Sequence, residues 1–514
     1  MPAKRSIVAV PPPVETETEN MPLKSIASII RDNARRKGTA PAVTYPDGSL
    51  SWDELDRRSN RRARMLAALG VRQDDLVMVM LANGTEFHEA VVGVWKAGAT
   101  PCLLPAKLPG REAGEIIALA SPAAVIGDVP FAYDGPRIPA GAALDAFSDA
   151  PVADAGAASW KAIASGGSSG RPKIIVDTMP AFINTDAPPY AALGFSGDGA
   201  MLNPGPLYHN MPFLFTSLAL LAGTHVVGMS RFNAEEFLRL VDSHKIGFVA
   251  VVPTMMQRIW ALPESVRAAH DMSSLKSVWH MSAPCPQWIK RAWIDWLGPD
   301  RIFEAYGGTE GSGTAITGRE WLAKPGSVGK VAPGTLRVLR EDGSEADVGE
   351  IGEVHFPSAS AAKFRYIGAE QSTDAAGGYW IGDLGHIDQD GYLFLADRRS
   401  DLIIRGGANV YPAEVEAALD EHPLISSSAV IGLPDEDLGQ RVHAIIHLRD
   451  GKLLNLASIA AHIEQRLAKY KWPASYETSL TPLRDDAGKV RRTALKAERV
   501  AWLETGHAFE VERP

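Results

Sequence analysis

Helical and extended hydrophobic periods alternate along the first half of the chain. From Ser51 to Leu69, SWDELDRRSNRRARMLAAL places apolar residues at helical spacing behind a capping serine, with acids in the first turn, and predicts an amphipathic helix. DLVMVML follows as a buried strand, and EFHEAVVGVWKAG as a second helix ending near Gly98. The alternation continues through FLRLVDSHK and IGFVAVVP. Strands alternating with helices imply an α/β architecture with largely parallel sheets.

The longest apolar stretch, Phe213 to Met229, is broken by Thr216, Ser217, Gly223, Thr224 and His225 and is short for a bilayer span. It predicts a buried helix followed by a strand. Near residue 400 the pattern changes. GHIDQDGYLFLAD holds a DG turn between two strand-like runs and reads as a hairpin. In LIIRGGANVYPAEVEAALDEH a short strand meets Gly406 and Gly407 before Pro412 opens a helix. The charged cluster Asp397 to Asp401 marks a candidate hinge. The expected division is a loose tail over 1–21, a large domain over 22–398, a hinge at 399–401 and a small α+β domain over 402–514.

At 514 residues the chain exceeds one compact core, which agrees with that division. A net charge of −9 gives no basis for nucleic-acid binding, which draws on concentrated positive charge. Cys102 and Cys285 are too few for a disulfide framework or a cysteine-rich zinc site, so a reducing, cytoplasmic setting is expected. Neither a Ser-His-Asp order nor an HExxH spacing is present.

Candidate chemistry begins at Ser165, Gly166, Gly167, Ser168, Ser169, Gly170, Arg171, Pro172, Lys173. Glycines let the backbone approach a ligand closely, and the hydroxyls and the lysine suit phosphate oxygens. Pro172 intervenes before Lys173 and no Ser or Thr follows it, so an ordinary P-loop is disfavoured. Four segments follow in order: YGGTE at 306–310, YWIGDLG at 379–385, DRRSDLIIRGGANVYPAEVE at 397–416 and GKVRRTAL at 488–495. By residue type, Tyr306 can stack on a flat base, Thr309 can donate to a phosphate and Glu310 can hold a hard cation through oxygen. Asp383, read as a glycine-flanked turn residue, can accept ribose hydroxyls, with Arg398 adding donors.

Together these segments resemble the adenylate-forming superfamily of acyl-CoA synthetases, peptide-synthetase adenylation domains and luciferases, from about Ser51 to Leu495. The resemblance implies a large multi-sheet N-terminal domain and a smaller, mobile α+β C-terminal domain. It places AMP's adenine at Tyr306 and Gly307, its phosphate at Thr309, Mg²⁺ at Glu310 and its ribose at Asp383 and Arg398. Ser282, Ala283 and Pro284, in HMSAPCPQW, fall near the base, His209 in PLYHNMPF at the acyl pocket, and Lys489 over the phosphates as the acyl-adenylate forms.

The implied reaction activates a hydrophobic carboxylic acid with ATP and passes it to coenzyme A, with rotation about 399–401 withdrawing Lys489 and presenting the Gly406–Gly407 turn to the thiol arm. Capture of the adenylate by an amine, or loading of a carrier protein, is the alternative. The phrasing is nearest to bacterial ligases for fatty, aryl or bile-acid-type substrates. Expected partners are thus a small-molecule carboxylic acid, no nucleic acid and no membrane span, with a homodimer among the assemblies open to it. Met211, Phe213, Phe215, Met255, Met256 and Trp279 are candidates for an acyl pocket. Two positions depart from the family pattern: Asp397 replaces the glycine usual before Arg398, and Ser400 the aspartate usual at the pivot.

Overall fold

The computed structural model describes residues 23–131, 133–166, 172–358, 363–485, 488–506, 509 and 511–512. The expected tail, and Gly167, Ser168, Ser169, Gly170 and Arg171 of the glycine-serine run, lie outside the described residues.

Local chemistry sets the first elements as the sequence predicts. Ser51 caps the helix Trp52–Ala68 by accepting from the Glu54 N–H, and Glu54 returns a bond to the Ser51 N–H, a reciprocal capping box. The apolar run at 213–229 divides into the helix Asn210–Ala222 and the strand His225–Gly228. Gly223 ends the helix in the left-handed conformation that glycine takes without strain.

Strands of the large domain form an eight-stranded, a seven-stranded and a five-stranded sheet among the described residues. In the eight-stranded sheet, Ala200–Asn203, Ile246–Val251, Ser277–His280 and Ile302–Gly308 run parallel, and Gly311–Thr317 closes the edge antiparallel. The seven-stranded sheet has a parallel centre that includes Leu76–Met80, Thr100–Leu103 and Ala162–Gly166. Antiparallel additions Pro172–Asp177 and Phe364–Ile367 complete its other edge. The helix Thr85–Lys96 is buried along most of its length, with Phe87 and Trp95 in a core that also takes residues from both large sheets. Parallel strands buried on both faces explain the near-continuous apolar runs.

The five-stranded sheet is antiparallel. Its hairpin Tyr379–Ile387 and Tyr392–Arg398 is the one signalled by the DG turn, and it places Asp383 directly opposite Arg398. Asp383 therefore sits within a strand rather than in the turn read from its glycine neighbours.

Beyond Arg398 the small domain packs the helices Pro412–Asp420 and Leu456–Glu464 against a sheet of Ile425–Asp435, Gly439–Leu448 and Ser475–Thr478, around a core of its own. Gly406 and Gly407 close the hairpin Ile403–Arg405 and Ala408–Val410 with φ of 56° and 81°, the two positive values that a tight type I′ turn requires. No helix among the described residues is long and apolar enough to cross a membrane.

Candidate active site

The site lies where the sheet edges meet and is assembled from hairpins. Ser165 and Gly166 end one strand and Pro172 and Lys173 begin the antiparallel next, paired Ser165 with Lys173 and Gly166 with Pro172. A P-loop leads from a strand into a helix; this run joins two strands, which is why its spacing fails the P-loop test.

Tyr306, Gly307 and Gly308 finish the strand Ile302–Gly308, and Gly308 pairs with Gly311, so Thr309 and Glu310 form the tip of a two-residue hairpin. That tip delivers the buried Glu310 to Lys173, whose Nζ donates to Glu310 Oε1 at 3.2 Å. Tyr366 Oη donates to the same oxygen at 2.7 Å, and the Lys173 ammonium stands 4.0 Å over the Tyr366 ring. A Cβ at Gly308 would lie 2.7 Å from Glu310 Oε2, so only glycine leaves the carboxylate this position.

Across the site, Asp383 Oδ1 pairs with Arg398 Nε at 3.2 Å and Asp383 Oδ2 accepts from Tyr306 Oη at 2.8 Å. Burial raises the Asp383 carboxyl, and Arg398 and the Tyr306 hydroxyl draw it part of the way back. The Tyr306 phenol is held well above its ordinary value by burial and then by the adjacent Asp383 charge. Tyr306 thus acts first as an orienting donor to Asp383, with its ring in the cluster that holds Phe356 and Tyr379.

The small domain adds Lys489. Its loop is closed by Gly488 N–H to Asp485 O, Lys489 N–H to Asp485 Oδ1 and Asp485 N–H to Lys489 O. Gly488 touches the large domain, where an added Cβ would stand 3.2 Å from Thr254 Oγ1 and 3.5 Å from Val252 Cγ2. Lost hydration and then Arg398 push the Lys489 ammonium below its ordinary value, while the carboxylates of Asp485, Glu310 and Asp383 oppose that shift. Lys489 keeps an exposed surface in the cleft, so solvent screens part of these interactions. His209 feels the same loop: burial, with Lys489 second, lowers it to about 4.

His209 is the N-cap residue of the helix Asn210–Ala222 and lines a small cavity of about 20 Å³ with Gly205, Met211, Pro212, Met255 and Ser282. Ser282 takes φ 77°, a left-handed backbone rare outside glycine, in the irregular loop that also holds Ala283 and Pro284. Of the expected acyl-pocket residues, Met211 and Met255 face this cavity. Phe213 instead stacks on Trp160 at 5.7 Å and packs with Phe87 and Trp95, and Phe215 packs on Phe248 and Trp279. Met256 is fully buried and Trp279 stacks on Phe303 at 4.9 Å. These four are core.

The fold therefore gathers Lys173, Glu310, Tyr306, Asp383, Arg398, Lys489 and His209 into one cleft. The Gly406–Gly407 turn is held within the small domain by the Gly406 N–H bond to Leu438 O. Two residues escaped the sequence reading. Tyr366 reaches Glu310 from the sheet edge, and nothing in FRYI marks it beyond alternation. Lys161, buried before the strand Ala162–Gly166, donates to Asn210 Oδ1 beside His209 and lies 3.7 Å from Asp177 Oδ2. A lone lysine next to Trp160 gave no signal.

No group of three or more His, Cys, Asp or Glu side chains suited to a metal ion occurs among the described residues. The donor set fits Mg²⁺ as it is bound beside a nucleotide, through one carboxylate together with phosphate oxygens. Glu310 is the carboxylate available for that purpose.

The architecture and the cleft are those of an adenylate-forming enzyme. The profile of the AMP-binding enzyme family matches residues 30–364 and that of the AMP-binding enzyme C-terminal domain residues 414–480. The chain belongs to this family. It is 28% identical over 508 residues to a long-chain-fatty-acid–CoA ligase of Mycobacterium tuberculosis, covering 93% of this chain and 99% of that protein. It is 31% identical over 472 residues to a feruloyl-CoA synthase of Amycolatopsis, covering 86% and 93%. Its fold matches o-succinylbenzoate CoA synthetase from Bacillus subtilis in complex with an acyl-adenylate intermediate, with a TM-score of 0.77 at 24% identity, over 92% of this chain and 98% of that one.

Proposed function

We propose that this protein is an AMP-forming acyl-CoA synthetase acting on a hydrophobic carboxylic acid. The arrangement that carries the reading is Lys489 of the small domain within electrostatic reach of Arg398, Glu310 and Asp383 of the large domain, a grouping from two domains suited to one nucleotide. The relatives named above, whose names describe CoA ligases for fatty and aryl acids, support the same substrate class.

In the first half-reaction a carboxylate oxygen of the acid attacks the α-phosphorus of ATP, the bond to the β-phosphate oxygen breaks, and pyrophosphate leaves. Two anions must approach and the transition state gathers negative charge, so Lys489 serves as an electrostatic stabiliser, with Thr309 donating to phosphate. Asp383 receives the ribose hydroxyls, with Arg398 and Tyr306 fixing its carboxylate. Lys173 and the loop that begins at Ser165 hold the outer phosphates, and Glu310 would hold Mg²⁺, which when bound would supply neutralisation of phosphate charge. Ser282, Ala283, Pro284 and Gly307 line the base, and His209 borders the acyl entrance.

In the second half-reaction the thiol sulfur of coenzyme A attacks the acyl carbon, AMP departs with the bonding pair, and the thiol proton is released. Rotation about 399–401 withdraws Lys489 for this step and turns Gly406 and Gly407 toward the thiol arm. Two free cysteines support a reducing, cytoplasmic setting.

The charged form of Lys489 is the one that meets phosphate, and it is lost as pH rises through a value lowered from the ordinary lysine range. The alkaline limb of the adenylation rate is expected below that range, and Lys489→Arg is expected to move it upward. His209, lowered to about 4, stays neutral from pH 5 to 8 and contributes no limb there. A pyrophosphate-release profile from pH 5 to 11 on both proteins checks this; identical alkaline limbs contradict it.

The reading itself is tested by pyrophosphate release over fatty, aryl and steroid acids with MgATP, followed by product analysis with coenzyme A, an amine or a carrier protein. A thioester to coenzyme A supports it, and an amide formed at the expense of the thioester overturns the choice of acceptor.

A further inference from the structure

Asp397 is the next-to-last residue of the large-domain strand Tyr392–Arg398, yet its carboxylate serves the small domain. Oδ2 accepts from the Ala413 N–H at 2.7 Å, while Oδ1 accepts from the Arg398 N–H at 2.7 Å. Ala413 is the second residue of the helix Pro412–Asp420, whose own N-cap, Tyr411, makes no side-chain capping bond. The helix is therefore capped from across the hinge.

That helix leads to Lys489 through contacts internal to the small domain. The buried Glu416 accepts from Arg484 Nη2 at 2.9 Å and from Arg492 Nη2 at 2.8 Å, and Arg492 Nη1 pairs with Asp401 Oδ2 at 2.8 Å. Arg484 and Arg492 flank the Lys489 loop on either side, so the loop and the helix form one body. Swinging the small domain about 399–401 leaves the contacts of Glu416 with Arg484 and Arg492 intact, because all three residues lie beyond the hinge. The Asp397–Ala413 bond joins opposite sides of the hinge and must break.

We propose that Asp397 is a positioning residue: by capping the helix Pro412–Asp420 from the large domain, it docks the small domain in the orientation that brings Lys489 to the nucleotide cleft. This rests on the role proposed above for Lys489, but the docking itself can be read without any acid substrate. Asp397 meets Ala413 through an oxygen accepting from a backbone N–H, an acceptor that asparagine also offers.

The test is hydrogen–deuterium exchange on the full-length protein with MgATP, followed at the Lys489 loop and at Val252 to Met256 facing it, and referenced to the core strand Leu76–Met80. Asp397→Ala is expected to speed exchange at both docking faces about tenfold, the scale set by losing one hydrogen bond to a carboxylate. Asp397→Asn, which keeps an acceptor oxygen, is expected to stay near the unaltered protein, with the core reference unchanged in both. Equal exchange at the docking faces in Asp397→Ala and the unaltered protein overturns the inference, as does an Asp397→Asn protein that exchanges as fast as Asp397→Ala. If these outcomes hold while Lys489→Ala leaves pyrophosphate release intact, the docking stands and the role of Lys489 falls.

Discussion

Lys489→Ala is expected to slow pyrophosphate release from acid and MgATP by roughly 10²-fold or more, the loss that follows removal of one preorganised stabiliser of developing charge. The loop of Lys489 is anchored by Asp485, packed on Val252 and Thr254 through Gly488, and electrostatically joined to Glu310 and Asp383. A lysine on a loop held in this way is expected to meet the phosphates at a low reorganisation cost. The second half-reaction places no such charge beside Lys489, so transfer from a preformed acyl-adenylate to coenzyme A is expected to continue in the variant. Measuring both steps separately checks the assignment. A variant that loses both equally indicates a damaged fold.

Glu310→Gln is expected to lower adenylation by roughly 10² to 10³-fold, on the same scale of lost electrostatic support. Glutamine can still accept from Tyr366, but it offers neither the charge that pairs with Lys173 nor a hard anionic ligand for Mg²⁺. The apparent requirement for Mg²⁺ should rise in a titration of pyrophosphate release. Equal rates and an unchanged Mg²⁺ dependence would remove Glu310 from the metal's environment. Glu310→Asp is expected to fall between the two, because the shorter side chain keeps charge while losing reach to Lys173.

The sequence made much of this visible where the governing interactions are short in range. The Ser51 cap and the DG hairpin before Arg398 depend on residues a few positions apart, and both formed as expected. The candidate site residues stand out as types because phosphate, ribose and a hard cation each demand particular donors and acceptors. Their arrangement does not. Asp383 reads as a turn residue from its glycine neighbours, and only the pairing register with Arg398 shows it to be a strand position.

Packing partners distant in sequence account for the other misses. Phe213 and Phe215 look like pocket residues by composition, but Trp160 and Phe248 claim their faces for the core. On the helix Thr85–Lys96, Glu89 and Lys96 are buried, Glu89 against Arg62 at 2.8 Å and Lys96 against Asp56 at 2.6 Å. A buried charge of this kind follows the partner, which the local pattern does not contain. Tyr366 and Lys161 belong to the same class, since each acquires its role through a residue brought near by folding.

The central claim is that Lys489 of the small domain acts with Glu310 and Asp383 of the large domain to turn an acid and ATP into an acyl-adenylate destined for coenzyme A. It is tested most directly by following pyrophosphate and thioester in one reaction of the purified protein with MgATP, coenzyme A and a panel of fatty, aryl and steroid acids. The account predicts pyrophosphate and an equal amount of acyl-CoA with at least one acid, and a fall of roughly 10²-fold or more in the initial rate of both products from that acid when Lys489 is alanine. Pyrophosphate release undiminished by Lys489→Ala would contradict it.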